Sequence, residues 1–199
     1  MAKCRISWGP YSVNGRGGDV ISDNAEFTNK LLQDILDDDC AIYITISGPL
    51  VGVNYGLLHD VFVTSYHVTL FRTEWFAVSM LCDALKHRDC QITNVWIDPD
   101  AMQYINKQQL AHAFKRNNSL RVVCGVNLEM LRLVVHSTTV ETLWLQVTRD
   151  EMLLEDWSAM FEMPALCDIR IFADTLWSAA YRAGRNKWPD RVCPVFWGA

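Results

Sequence analysis

Basic charge and long apolar runs are both scarce in this sequence, and each absence argues against a class of partner. The 199 residues carry 18 Lys and Arg against 23 Asp and Glu, which gives a net charge of −5. A protein that binds nucleic acid normally presents a basic surface to the phosphates, so nucleic acid is disfavoured as a partner. The longest apolar-leaning stretch, residues 50–71, contains His59, Asp60 and His67, so we expect no membrane span there.

A disulfide framework and an export signal are also missing from the pattern. The seven cysteines are an odd number and are spread along the chain from Cys4 to Cys193. No segment has the basic start and apolar middle of a signal peptide. A chain of this length buries about 70% of its unfolded surface and needs no disulfides for stability. We therefore expect free thiols and an intracellular, reducing location, with the cytoplasm as the first choice.

What the sequence does contain is a repeated unit of helix followed by strand. Residues 75–86 space their apolar side chains three and four apart, which predicts an amphipathic helix, and residues 92–97 alternate, which predicts a strand. Residues 110–123 show the same helical stripe, polar corner and start of a strand. A frame of the form apolar-x-x-apolar-x-apolar recurs six times, beginning at Ala41, Val63, Ile92, Leu120, Val140 and Leu166. The starts lie 22, 29, 28, 20 and 26 residues apart, and a period in the twenties is typical of a solenoid.

These units resemble the leucine-rich repeats of the ribonuclease-inhibitor-like class, which occur in NOD-like receptors and Ran GTPase-activating proteins. Residues 81–97 are similar to the helix-to-strand joint of a NOD-like-receptor repeat, and residues 110–120 to the same joint in the wider class. The pattern departs at Gly125, which replaces the last apolar strand residue, and at residues 98–100, where an Asn or Cys ladder is usual. The resemblance implies an α/β fold: a short solenoid of five or six repeats, with a mostly parallel sheet on the concave face and helices on the convex face.

Three regions are expected along the chain. Residues 1–24 are rich in turn-forming residues and predict a loop or loose hairpin, residues 25–173 form the repeat domain, and residues 174–199 form an aromatic tail. The tail either caps the last repeat or docks on another chain. Within the repeat domain, Gly52 and Gly56 weaken a helix over residues 51–59, and the β-branched and aromatic residues of 61–71 predict an extended segment.

Catalytic and metal-binding patterns are weak. Cys82, His87 and Cys90 lie within nine residues, but Cys82 belongs to the helical stripe and Cys90 to a position that usually holds a small buried residue. A nucleophile pair of Cys40 with His59 or His67 lacks a local signature. Residues 15–19 lack the Lys of a phosphate loop, and Glu151, Glu155 and Asp156 lie on a predicted wet helix face. We therefore predict no catalytic residue, metal ligand or cofactor.

The outward side of the strands carries the strongest functional signal. Side chains alternate along a strand, so the residue between the last two apolar positions of each frame points away from the core. This row reads Thr45, His67, Trp96, Cys124, Trp144 and Arg170, and the residues two positions earlier read Tyr43, Ser65, Asn94, Val122, Thr142 and Asp168. Exposed Trp, Tyr and Arg are the residue types that anchor protein interfaces.

The predicted function is therefore non-catalytic: a protein-recognition or assembly subunit whose partner is a protein or a larger multi-subunit assembly. The predicted contact residues are Tyr43, His67, Asn94, Trp96, Thr142, Trp144, Asp168, Arg170, Trp188 and Trp197. A competing interpretation has the tail or the N-terminal loop covering the strand row. Two other functions stay open, a Cys/His-dependent enzyme and a GTPase-activating or enzyme-regulating repeat protein, for which Arg121 and Asn127 are the nearest catalytic candidates.

Overall fold

Strands and helices alternate along the chain, and the strands join into one sheet. The structure, a computed structural model, describes residues 4–10, 18–37, 42–98, 105–146, 154–172 and 193–197. The strands are β1 (Cys4–Pro10), β2 (Gly18–Ser22), β3 (Ile42–Ser47), β4 (Ser65–Phe71), β5 (Asn94–Ile97), β6 (Val122–Val126), β7 (Thr142–Leu145), β8 (Asp168–Phe172) and β9 (Cys193–Trp197). The helices are α1 (Ala25–Asp37), α2 (Tyr55–Thr64), α3 (Trp75–Lys86), α4 (Lys107–Arg116), α5 (Leu128–Val134) and α6 (Leu154–Glu162).

The strand order places all the described helices on one face of the sheet. The order is β2-β1-β3-β4-β5-β6-β7-β8-β9, and each neighbouring pair from β3 to β9 is parallel. Crossovers between parallel strands are right-handed, so steps in a constant direction put every connecting helix on the same side. Consecutive helices accordingly pack against each other. The predicted α/β fold, with a mostly parallel sheet on one face and helices on the other, is confirmed.

The core lies between the sheet and the helices and is built from two inward positions on each of the strands β3 to β8. Ile44 aligns through Val68, Val95, Val123 and Leu143 to Ile169 along the sheet. Each of these side chains is 0% exposed. Burying an aliphatic side chain of this size stabilises the fold by about 1.5–3 kcal/mol. The inward positions predicted in the frames for β3, β5, β7 and β8 are therefore the ones that form the core.

The predicted extended segment over residues 61–71 is wrong in its first four residues, because α2 continues to Thr64. The side chain of Asn54 accepts hydrogen bonds from the backbone N–H groups of Gly56 and Leu57 and so begins the helix. Val61 and Phe62 are then fully buried, and this burial outweighs the β propensity of the segment. The frame of β4 starts two residues later than predicted, at Ser65.

A bulge in β6 accounts for the glycine that interrupts the repeat pattern. The register shifts between Cys124 and Val126, and Gly125 has φ +70°. Val126, fully buried, pairs with Leu145 and takes the inward position. Gly125 is therefore an inserted residue in a left-handed conformation that glycine adopts without cost, and the apolar position that it seemed to replace is filled by Val126.

A buried asparagine organises the corner between α4 and β6. The side chain of Asn117 is 2% exposed, and its amide nitrogen donates to the carbonyl oxygen of Leu85 at 2.8 Å. Its carbonyl oxygen accepts from the backbone N–H groups of Ser119 at 2.9 Å and Leu120 at 2.5 Å. Because Leu85 belongs to the preceding unit, this side chain connects two repeats while it closes its own corner.

The two ends of the chain add strands to the two edges of the sheet. β1 runs antiparallel to both β2 and β3, and Arg5 bonds Asp19 across this hairpin. The predicted loose hairpin is thus part of the sheet. β9 pairs in parallel with β8 and was missed because Pro194 interrupts the strand pattern, although proline is tolerated on an edge strand.

None of the helices in the described ranges has the length and hydrophobicity that crossing a bilayer requires.

Candidate functional site

The candidate site is the face of the sheet opposite the helices, called here the open face. Tyr43 and Trp96 are 42% and 38% exposed on it, whereas the inward residues of the same strands are buried. Asn94, Thr142 and Trp144 are half-buried on this side. The predicted outward direction of these side chains agrees with the alternation seen in the structure.

Strand register arranges the open face in two rows across the sheet. The first row aligns Tyr43, His67, Asn94, Val122, Thr142 and Asp168, and the second aligns Thr45, Thr69, Trp96, Cys124, Trp144 and Arg170. His67 was assigned to the second row and lies in the first, because the frame of β4 starts two residues later. Thr69 occupies the β4 position of the second row and is buried. Its hydroxyl oxygen lies 3.1 Å from Nε2 of His67.

Ser65 was predicted to point outward and is fully buried instead. Its hydroxyl donates to the carbonyl oxygen of Val61 at 2.5 Å, which satisfies the group at the end of α2. Ser65 therefore belongs to the core side of the molecule.

Trp96 and Trp144 each contact a neighbouring side chain, and in both cases that side chain lies on the side facing away from the other tryptophan. The ring centroid of Phe71 lies 6.2 Å from that of Trp96, and the guanidinium carbon of Arg72 lies 5.1 Å from the Phe71 ring. At the other end, the guanidinium carbon of Arg170 lies 4.9 Å from the Trp144 ring centroid, within cation–π distance. Arg170 is itself paired with Asp168 at 3.0 Å.

Between the two tryptophans lies a cleft of about 450 Å³, called here the indole cleft. Trp96 on β5 and Trp144 on β7 border it, and β6 runs between them. The described residues that line the cleft are His67, Asn94, Trp96, Val122, Cys124, Gly125, Trp144 and Gln146. Aromatic and apolar groups with a few polar ones are the usual lining of a binding site.

Gly125 lets the Trp96 indole lie directly against the backbone of β6. A β-carbon at residue 125 would lie 2.3 Å from Trp96 Nε1 and 2.4 Å from its Cδ1. Real side chains do not approach so closely, so any other residue at this bulge would displace the indole. The glycine that departs from the repeat pattern is therefore a condition for the present shape of the cleft.

The described part of the indole cleft carries no charged side chain. Among the residues that the structure describes, its lining includes no Asp, Glu, Lys or Arg. Burial lowers the pKa of His67, which favours the uncharged imidazole at pH 7. Burial also raises the pKa of the Cys124 thiol to about 11, against the opposing effect of the positive charge of Arg170. The cleft therefore combines two indoles with an uncharged floor and polar groups at its rim.

The cysteines considered for chemistry have other roles where the structure describes them. Burial raises the pKa of Cys82 to about 12, and Cys90 Sγ lies 3.4 Å from the amide nitrogen of Asn117. Cys82, Cys90, Cys124 and Cys167 are free thiols. Across the described ranges, no three His, Cys, Asp or Glu side chains lie close enough together to hold a metal ion.

The remaining candidates are also accounted for or lie outside the described residues. Asp156, buried on α6, accepts a hydrogen bond from Arg132 at 3.0 Å, and Glu155 is exposed. Asp19 bonds Arg5 and Ser7 within the hairpin. Several residues considered from the sequence fall outside the described ranges, namely Gly15, Arg16, Gly17, Cys40, Glu151 and Trp188. For Trp197 the structure describes only the backbone, as the last residue of β9.

Sequence reasoning missed Phe71 and Gln146 as part of the open face. Phe71 lies two residues after Thr69 on β4, so the alternation rule finds it once the strand frame is set correctly. Gln146 follows β7, and its backbone N–H donates to the carbonyl oxygen of Val126 at 2.8 Å. Gln146 lies two residues after Trp144, so the same alternation places it on the open face.

A second group of exposed apolar side chains lies around the N-terminal ends of α1, α2 and α3. Phe27, Tyr55 and Trp75 are 48%, 56% and 62% exposed, and Val51, in the loop before α2, is 72% exposed. Tyr55 and Trp75 both contact Phe76. These residues lie on the helical layer, so they offer a comparison for any test of the open face.

No protein-family model matches the chain, and no curated protein matches its sequence. The alternating strand–helix units in one mostly parallel sheet are the part of the family resemblance that the structure shows.

Proposed function

We propose that the protein is a non-catalytic recognition or assembly subunit that binds a partner protein through its open face. The observation that carries this proposal is the Trp96–Trp144 pair, with an apolar cleft between the indoles on a sheet face that the described helices leave bare. Aromatic side chains in such positions are the commonest energetic anchors of protein interfaces. Trp96 keeps 38% of its surface in water on this face, where a partner could bury it.

The proposed family is the ribonuclease-inhibitor-like class of leucine-rich repeats, in a short and degenerate form. The support is the parallel ladder of inward aliphatic residues, the layer of helices on the other face, and a corner asparagine, Asn117, at a helix-to-strand joint. Four free thiols in the described chain support the proposed intracellular, reducing location.

No observation favours the two other functions. Arg121 is paired with Glu141 at 3.3 Å, and the side chain of Asn127 accepts from the Met130 N–H at 2.8 Å as the cap of α5. Both GTPase-activating candidates therefore serve the fold. For the Cys/His enzyme, the proposed nucleophile Cys40 lies outside the described residues. Burial raises the pKa of Cys82 and Cys124, which keeps these two thiols protonated near pH 7.

Site-specific photo-crosslinking in the native cells tests the proposal directly. A photoreactive amino acid replaces Tyr43 on the open face in one variant and Gln108 in another. Gln108 is exposed on α4, on the opposite side of the sheet. We expect a discrete crosslinked protein adduct from position 43 and none of the same mass from position 108.

Paired tryptophan variants complete this experiment. In the position-43 background, Trp96→Ala with Trp144→Ala should abolish the adduct, while Trp75→Ala, which removes a more exposed tryptophan from the helical layer, should leave it. Circular dichroism and thermal unfolding establish that each variant is folded. Equal adducts from positions 43 and 108, or an adduct lost only with Trp75→Ala, would refute binding through the open face.

A further inference from the structure

Only one strand, β6, separates the strands that carry the two indoles of the cleft. Trp96 and Trp144 lie on strands separated only by β6 and align with Cys124 in register. Neighbouring strands are about 4.8 Å apart, so the two backbones are separated by roughly 9.6 Å. Aromatic pairs prefer ring centroids about 4.5–7 Å apart. The Trp96 indole leans over β6 at Gly125, so a ring seated in the cleft above Cys124 lies within reach of both indoles.

Contacts on the far sides of the indoles restrict where a ligand can bind. Phe71 packs against Trp96, and the guanidinium of Arg170 lies over Trp144. Both tryptophans are thus held by protein groups on the side away from β6, while both line the cleft on the side toward it. The floor, formed by Val122, Cys124 and Gly125, presents apolar surface to whatever enters.

Charge in the surroundings selects an uncharged ligand. A cation between the indoles would find no carboxylate in the described lining, and the positive Arg170 is already placed against Trp144. An anion would find no Lys or Arg to pair with among the lining residues in the described ranges, and its charge would be desolvated without compensation. His67, Asn94 and Gln146 at the rim offer hydrogen bonds that suit a phenol hydroxyl or an indole N–H.

From this geometry we infer that the indole cleft is the anchor site for one uncharged aromatic side chain, Tyr, Trp or Phe, of the partner protein, seated between Trp96 and Trp144 above Cys124. The inference rests on the proposed function, since the aromatic group belongs to the partner bound at the open face. It adds the chemical class of the anchor, and it excludes lysine, arginine and acidic side chains from this position.

Three probes of the same ring and different charge test the chemical class. They are p-cresol, which reproduces a tyrosine side chain, 4-methylbenzylammonium and p-toluate. The readout is the indole N–H signals of the protein labelled with ¹⁵N at tryptophan. We expect p-cresol to shift the signals of Trp96 and Trp144 and to leave that of Trp75 unchanged, with both charged probes binding at least about tenfold more weakly.

A variant whose side chain fills the cleft tests the same inference, and a substitution of the same kind elsewhere is its control. Cys124→Leu enlarges the floor residue while both tryptophans stay in place, and it should reduce the affinity for p-cresol about tenfold or more. Cys167→Leu, at an exposed thiol on the loop before β8, should leave it unchanged. Charged probes that bind as well as p-cresol, or shifts that persist in Cys124→Leu, would overturn the inference.

Competition against the crosslink separates this inference from the proposed function. Excess p-cresol and the Cys124→Leu variant should each suppress the adduct formed from position 43. An adduct that forms and is insensitive to both leaves open-face binding intact and overturns the aromatic anchor. Absence of any adduct, with p-cresol bound between the indoles, would make the cleft a site for a free aromatic ligand and so overturn the assignment to a partner protein.

Discussion

The two faces of the central strands follow different rules although their residues alternate along the same backbone. On β5, Val95 and Ile97 face the helices and are 0% exposed, whereas Trp96 between them is 38% exposed. On β7, Leu143 and Leu145 are fully buried, and Thr142 and Trp144 face the other way. The inward set is aliphatic and almost uniform from strand to strand, while the outward set changes at every strand. The difference indicates that burial constrains the inward positions to aliphatic residues and places no such constraint on the outward positions.

The largest expected effect is a loss of stability that occurs at an inward residue of β7 and not at the neighbouring outward residue. Leu143→Ala should lower the free energy of unfolding by about 2–5 kcal/mol, because a fully buried side chain is removed from a packed core. Thr142→Ala, one residue earlier and on the open face, should change it by no more than about 0.5 kcal/mol. Urea denaturation of both variants measures the difference. Similar losses at the two positions would mean that the open face also carries the fold.

A smaller loss of stability is expected when the corner between α4 and β6 is altered. Asn117→Ala should cost about 1–3 kcal/mol, because it leaves the Leu85 carbonyl and the Ser119 and Leu120 N–H groups without their partner. Asn118→Ala is the matched control, since that neighbouring side chain is exposed. Urea denaturation should show little change for the control. If both variants unfold at the same concentration as the wild type, the corner hydrogen bonds are not important for stability.

Gly125→Ala should affect the open face more than the core. The new side chain must adopt a left-handed conformation, which costs about 1–2 kcal/mol, and it collides with the Trp96 indole. We expect a modest loss of stability together with a clear shift of the Trp96 indole N–H signal. Combining the change with Trp96→Ala removes the collision, so in a double-mutant cycle the cost of Gly125→Ala should fall. Additive costs would show that the indole does not contact the bulge.

The smallest effect is a dependence of stability on pH. Burial lowers the pKa of His67 below its ordinary value of 6.5, so the unfolded chain takes up a proton first as the pH falls. The stabilisation is therefore complete above pH 6.5 and is lost as the pH falls through 6.5 toward the lower pKa of the folded state. His67→Gln should flatten the unfolding free energy in this window. Denaturation at several pH values measures how the unfolding free energy changes with pH. If this dependence is the same in His67→Gln as in the wild type, another group causes it.

The sequence predicts the periodic part of this molecule well because each inward residue is fixed by burial. The helix over residues 75–86 and the inward pairs of β3, β5, β7 and β8 follow from apolar spacing alone. The register of β4 does not, because Ser65 occupies the position where the frame expects an apolar residue, and its hydroxyl is satisfied within the structure. A pattern of apolar residues cannot detect a polar group that is buried with its hydrogen bond made.

The indole cleft is beyond sequence reasoning for another reason. The outward direction of Trp96 and Trp144 follows from alternation, so both were identified as contact residues. Their separation by a single strand depends on the register of three strands, and the fit of the Trp96 indole depends on one inserted glycine. Gly125 looks like a defect in the repeat until the backbone conformation is known.

The position of β6 also affects how such an array can change in length. A repeat duplicated before β5 or after β7 would lengthen the sheet and leave the two indoles flanking the same single strand. A repeat inserted next to β6 would move them apart by about one further strand spacing of 4.8 Å, too far for one ring to reach both. Insertions in homologous chains should therefore avoid this interval wherever both tryptophans are retained.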